Sequence, residues 1–319
     1  MIGVRASPFR QLDRFTAVKL SIVLLAVLAF GCSQTQSVDG PSPCLLPISI
    51  ADAQGNFQGA FVSFPGGQVT SEASGVGGQY YDLPFARWLP VNRNAVSTDG
   101  TRYAYLDRKV PGTPGQARLH VVNVPTGFDK AVDLGAPGDT SAYRVVSFAT
   151  EGIWLSYAGY ESPGAGLFLF DAGMAAMKDV AGPEILEPVA GGPGVFWFTD
   201  GGPNPQSSAG MGSIIPARMQ RLTIWDNEVE TWFSEPGSSL TVFGTDLAGH
   251  AIFTDGKDVI LALSPNETKV IGLPQGFYRL LADRRGVWFG GDQGIYLYSA
   301  SGHVQKVSSQ AGSPAGTCA

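Results

Sequence analysis

The chain has 319 residues, of which 42 are Gly and 22 are Pro, so 64 of 319 are turn-formers, against about 12% in average usage. That density excludes long helical architectures, and the glycines follow no three-residue period that would suggest collagen. Hydrophobic residues at 44% with charged residues at only 15% exclude a disordered chain, while a net charge of −6 with three His and three Cys points away from nucleic-acid surfaces, metal clusters and bound cofactors.

Residues 1–31 differ from the rest in composition. Arg5, Arg10, Arg14 and Lys19 precede an apolar run from Leu20 to Phe30, followed by Gly31 and Cys32. A basic segment, a short apolar segment and a small residue before a potential cut form an export signal. A run of eleven residues is too short for a helix to span ~30 Å of hydrocarbon. The pattern resembles the bacterial lipoprotein signal. That resemblance implies removal of residues 1–31 as a signal peptide, lipidation of Cys32, and attachment to a bacterial membrane on its periplasmic or extracellular face. An ordinarily cleaved export signal that happens to contain Cys32 is the alternative, and both place the chain outside the cytosol. Residues 32–43 then hold the lipidated Cys and a polar, Pro/Gly/Ser-rich tether, Ser33 to Pro43. Loss of the signal removes four basic residues and Asp13, leaving 17 basic against 26 acidic residues, a charge of −9. Such a domain is repelled by phosphate polymers and by anionic lipid surfaces.

With Cys32 acylated, Cys44 and Cys318 remain, one at each end of the folded region, and an even pair in an oxidising compartment reads as a disulfide. Between them one pattern recurs. Its front half appears as Ala104–Asp107, Trp154–Tyr157, Trp197–Asp200, Ile252–Asp255 and Trp288–Gly291; its back half as LHVVNVPTG, LFLFDAG, LTIWDNE, VILALSPNE and IYLYSASG, with an earlier copy, FVSFPGGQVT, from Phe61. Strands of four to six residues rich in Val, Ile and aromatics, punctuated by Gly turns, are β-hairpins. A repeat near 46 residues with about four such strands is one blade of a β-propeller. Residues 44–319 number 276, or six blades of 46; five or seven remain open. The predicted fold is therefore all-β, a propeller of four-stranded antiparallel blades. The segment ADRRGVWFGGDQGIYLY (Ala282–Tyr298) resembles the repeat of two-component-regulator sensor propellers, and STDGTRYAYLD with LHVVNVPTG (Ser97–Gly127) is similar to TolB-like and WD-repeat-like propellers. These resemblances imply a fold, not a function. The first copy lacks a front half beyond LLPISIAD (Leu45–Asp52), so the N-terminal strands are expected to share a blade with the C-terminal tail, with Cys44–Cys318 stapling the join.

In a propeller, the loops between second and third strands and the crossings between blades share one face. Three consecutive blades have long loops there: Arg108–Ala117, Ala158–Ala165 and Gly201–Met219. The crossing into the second blade is also long and aromatic. Candidate ligand- or partner-binding residues on this face are Tyr80, Tyr81, Arg87, Trp88, Tyr160, Glu161 and Arg218, because Tyr, Trp and Arg combine large area with a polar end; the alternative is that half of these rings pack between blades and the long loops serve no ligand. Trp154, Trp197 and Trp288, at repeat-equivalent positions, are expected in the core. The function expected is a surface-tethered, monomeric binding module for a protein, peptide or glycan. The alternative is an extracytoplasmic lyase or hydrolase using Asp82, Asp107, Glu161 and Asp200 at the channel mouth. His120, His250 and His303 share no local motif, and no G-x-S-x-G, H-E-x-x-H, phosphate loop or EF-hand occurs. The catalytic His and metal-binding Glu of streptogramin-lyase propellers have no match, so no catalytic residue is assigned. Asp99 and Asp255, each before Gly, read as turn chemistry.

Overall fold

Short β-branched and aromatic runs separated by Gly-containing turns fold as antiparallel hairpins throughout. The computed structural model describes residues 42–107, 118–134, 143–157, 166–171, 173, 176–181, 185–202 and 215–319. Cys32 and residues 1–31 of the expected signal lie outside that range.

The strands form six blades of a β-propeller. Blades 3 to 6 are complete and run from inner to outer strand in chain order. Blade 3 is Tyr143–Ala149, Gly152–Tyr157, Gly166–Asp171 and Ala176–Ala181; blade 4 is Leu186–Gly192, Val195–Gly202, Ile215–Thr223 and Glu228–Ser234. Blade 5 is Thr241–Thr245, Ala251–Thr254, Val259–Ser264 and Glu267–Ile271; blade 6 is Phe277–Asp283, Gly286–Gly291, Gly294–Ser299 and Val304–Ser308. Blade 2 has three strands, Arg102–Leu106, Arg118–Asn123 and Asp129–Asp133. Its inner position is taken by a 3-10 turn, Arg93–Ala95, and a single bridge from Val96 to Tyr103.

Blade 1 closes the ring. Its strands Cys44–Ala51, Phe57–Phe64 and Val69–Val76 receive their inner partner from the far end of the chain, Ser313–Pro314, which pairs antiparallel with Ser49 and Ile48. The expected sharing of a blade by the two ends is therefore what the structure shows. Cys44 and Cys318 form the disulfide across this join, with Cα atoms 5.6 Å apart.

Hydrophobic clusters fill the spaces between blades. Leu46, Ile48 and Val62 of blade 1 meet Trp288, Ile295 and Leu297 of blade 6, while Trp154 of blade 3 meets Phe196 and Phe198 of blade 4. Trp154, Trp197 and Trp288 are all at most 1% exposed, as expected of repeat-equivalent core positions. The repeat also explains Gly286, which opens the second strand of blade 6 at φ +138°: a Cβ there would sit 2.1 Å from the Tyr298 carbonyl oxygen.

Because every inner strand runs in the same sense, the ring has two distinct faces. Second-to-third-strand loops and blade crossings lie on one, here the cavity face. First-to-second and third-to-fourth-strand turns lie on the other, the turn face, together with the disulfide.

Candidate functional site

A cavity of about 1540 Å³ opens on the cavity face. Its wall is assembled from pieces far apart in sequence: the Asp52–Gln58 turn of blade 1, Pro90–Ala95 of the crossing, Ala104–Asp107 of blade 2, Tyr143–Val146 and Ser156 of blade 3, Glu187–Val189 of blade 4, and the inner strand of blade 5.

Local chemistry holds these pieces. Asp52 Oδ1 accepts the amides of Gln54 and Asn56 at 2.9 and 2.8 Å, an Asx turn that shapes the blade 1 loop. The Asn56 side chain and amide hold the Asp52 carboxyl below its ordinary pKa. Asn94 Nδ2 donates to the Val146 carbonyl at 2.9 Å, joining the 3-10 turn of blade 2 to the inner strand of blade 3. Arg279 of blade 6 donates to Asn92 Oδ1, and burial pulls its guanidinium pKa below the ordinary value. At the rim, Arg144 Nη1 lies 2.9 Å from Glu187 Oε1, both side chains well exposed. Glu187 has φ +43° and precedes Pro188, two constraints that conflict for a residue with a Cβ. Such backbone is retained where surrounding structure imposes it.

A second polar cluster borders the cavity in blade 2. The Tyr105 ring stacks on His120 at 4.5 Å and 15°, and its hydroxyl donates to Asp129 Oδ2 at 2.8 Å. His120 Nδ1 is 3.0 Å from Asp129; its Nε2 lies 3.1 Å from Asp107 Oδ1, off hydrogen-bond geometry. Burial first, and then the bond to Asp129, pushes the Tyr105 phenol up to about 12. Among the described residues no group of three or more His, Cys, Asp and Glu is arranged to hold a metal ion.

The residues singled out from sequence fall in three places. Tyr80, Tyr81, Arg87 and Trp88 belong to a two-stranded hairpin, Tyr80–Asp82 with Arg87–Leu89. Of the two readings of the crossing, rings on the rim or rings packed between blades, the second holds here: the hairpin wedges between blades 1 and 2 with its tip toward the turn face. Trp88 is 9% exposed, packs 5.7 Å from Phe61 and donates Nε1 to Glu72 Oε2 at 2.9 Å. Tyr81 meets Phe61 edge-on at 5.0 Å, Tyr80 lies under the Arg93 guanidinium, and Arg87 Nη1 donates to the Val124 carbonyl at 2.7 Å. The physical reason is geometric: the outer edge of blade 1 must reach the centre of blade 2, and large rings fill the space the crossing spans. Arg218 pairs with Asp200 between the second and third strands of blade 4. Those strands, ending at Gly202 and resuming at Ile215, extend into the stretch Gly201–Met219 predicted as loop. Tyr160 and Glu161 lie outside the described residues, as do Arg108–Ala117 and Ala158–Ala165.

The candidate carboxylates separate. Asp107 lines the cavity. Asp200 is held by Arg218. Asp82 is 2% exposed at the wedge, facing Gly100 on the turn face, with Oδ2 unpartnered. Burial raises its pKa, opposed by Arg93 and Arg87. Sequence reasoning missed Asn94, Arg144 and Glu187; Glu-Pro at a strand start was the one local signal, and it was not distinctive.

Solved structures share this architecture. TolB from Acinetobacter baumannii superposes with a TM-score of 0.52 at 10% identity, covering 86% of this chain and 67% of that one. What the two share is the β-propeller fold. The extracellular domain of a one-component system from B. thetaiotaomicron matches with a TM-score of 0.45 at 10% identity over 80% of this chain and 38% of that one. An oligogalacturonate lyase in complex with manganese matches with a TM-score of 0.44 at 12% identity, covering 81% and 72%. At these identities only the fold is shared. No protein-family model and no curated protein matches the chain.

Proposed function

We propose that this protein is an exported, lipid-tethered binding module that captures a polar ligand, a peptide or glycan segment, in the cavity of its propeller. The observation that carries this reading is the cavity itself, about 1540 Å³ with walls drawn from blades 1 to 5. Its polar groups are mostly amides and hydroxyls, among them Asn56, Gln58, Gln79, Asn94 and Tyr105, with Asp52, Asp107 and the Arg144–Glu187 rim supplying charge. Amides and hydroxyls match the alternating donors and acceptors of a peptide backbone or a sugar ring. Three carboxylates line this cavity, Asp52, Asp107 and Glu187, from blades 1, 2 and 4; Asp52 is tied into its own turn and Glu187 is paired with Arg144, which favours capture over paired acid/base catalysis.

The test is a screen of the full chain against peptide and glycan arrays, followed by calorimetry on the hits. Arg144 and Glu187 form an exposed pair, worth well under 1 kcal/mol to stability. Replacing both with Gln should weaken capture about fivefold or more while leaving Tm unchanged. A hit that binds the double variant as well as wild type would place recognition elsewhere, and turnover of the captured ligand would favour the lyase or hydrolase alternative.

A further inference from the structure

Ten large apolar side chains are exposed among the described residues, and they are unevenly shared between the faces. Six belong to the turn face. Phe128 and Trp225 sit in third-to-fourth-strand turns of blades 2 and 4, and Leu247 in the first-to-second-strand turn of blade 5. Leu83 and Phe85 form the tip of the wedge, and Leu45 stands beside the disulfide at the start of blade 1. Val76 and Tyr278 lie toward the cavity face, and Val229 and Val270 on outer strands. A lone exposed Leu carries no information, but apolar tips collected on one face of a ring do.

The chain also enters the propeller on this face, at Cys44. The eleven residues Ser33–Pro43 connect it to Cys32, and a chain of that length spans no more than about 40 Å even when fully extended. An acyl group on Cys32 therefore delivers the turn face to a bilayer. The tips come from blades 1, 2, 4 and 5 and from the wedge, so they surround the axis instead of lining one groove. A broad surface suits them better than a single bound helix or strand. Aromatic side chains with a polar edge, such as Trp225, favour the headgroup boundary.

We infer that the turn face docks on a phospholipid surface, seating Leu45, Leu83, Phe85, Phe128, Trp225 and Leu247 at the headgroup boundary and aiming the cavity away from the membrane. The inference rests on the tethered reading for delivery; the contact itself belongs to the folded face. The molecule carries its own probe. Of its six tryptophans, Trp225 is 63% exposed and the other five are buried.

The experiment compares the acylated full chain with full-length Cys32→Ser on phosphatidylcholine vesicles whose acyl chains carry bromine. Bromine is expected to quench Trp225 emission in both forms, with the quenched component missing from Trp225→Phe. Vesicle partitioning of the Cys32→Ser chain should fall about tenfold or more in Trp225→Glu/Leu247→Glu, since two apolar contacts are lost. Sedimentation of the acylated chain with vesicles, without Trp225 quenching, would overturn docking and leave tethering intact. Quenching in a chain that mass spectrometry shows to lack an acyl group would sustain docking and remove the tether. Neither sedimentation nor quenching in either form would overturn docking. Self-association in lipid-free buffer that the double variant abolishes, again without quenching, would assign the face to a second copy of the chain and overturn it too.

Discussion

Two neighbouring joins in the ring solve the same problem by different physics. Between blades 6 and 1, two residues of inner strand, Ser313–Pro314, are secured by a covalent bond between residues 274 apart in sequence. Between blades 1 and 2, no covalent bond exists, and a hairpin fills the space with Tyr80, Tyr81 and Trp88 packed on Phe61 and Val124. The first join acts largely on the unfolded chain, whose freedom the cross-link restricts. The second acts on the native state, through apolar area removed from water. A propeller can thus be closed by limiting what the open chain can do or by rewarding what the closed one buries.

The largest effect expected follows from removing the staple. Cys44→Ser with Cys318→Ser should cost up to about 5 kcal/mol, because the closed loop is long. Chemical denaturation should show a steeper denaturant dependence as well as a lower midpoint, since the unfolded chain expands. An unchanged slope would mean the disulfide acts on the native join, erasing the contrast. Next comes Trp88→Ala, expected to cost about 3–4 kcal/mol because the ring is almost wholly buried, with the slope of wild type. Gly59→Ala probes the same contact from the other side: its Cβ would stand 2.4 Å from the Trp88 ring. It should destabilise by about 1–3 kcal/mol, the range for overpacking, and a neutral result would show that the wedge can slide.

Smaller effects come from two aspartates of opposite sign. Asp82, buried in the wedge, has a raised pKa, so the folded state prefers its neutral form. Its contribution is present below the ordinary carboxylate value of 3.8 and is lost as pH rises through the folded value. Asp82→Asn should therefore raise Tm at pH 7, with the gain shrinking in acid. Asp99, in the Ser97–Thr101 turn of blade 2, accepts from Ser97 and Thr101, and these bonds lower it to about 2. Its stabilisation is present above 3.8 and lost as pH falls toward 2. Asp99→Ala should lower Tm at pH 7 and converge on wild type in acid; parallel curves for both variants would refute this assignment of charges.

What the sequence made legible follows from how local the signals are. Hairpins such as LFLFDAG and IYLYSASG are read from neighbouring residues, so the blades emerge directly. The ring closure was legible for another reason, a missing front half and a cysteine at each end. The wedge stayed open between two readings because Tyr80, Tyr81 and Trp88 look alike whether they meet solvent or a neighbouring blade. The cavity was illegible because its wall is made of strand starts from several blades: Asn94, Arg144 and Glu187 lie on three of them and share no spacing. Asp99 and Asp255, by contrast, are self-contained turns, and both take the backbone amides two positions ahead, as expected.

The pairing of Ser313–Pro314 with Ile48 and Ser49 also dictates an order of events during synthesis. The second strand of blade 1 leaves the ribosome before the other five blades, yet its inner partner follows all of them. Until the chain through Cys318 is available, the apolar edge of Leu46, Ile48 and Val62 has neither its strand partner nor blade 6 to cover it. That open edge keeps the unfinished domain from reaching its closed form early, and it leaves the residues around Ser313–Pro314 to act as the latch.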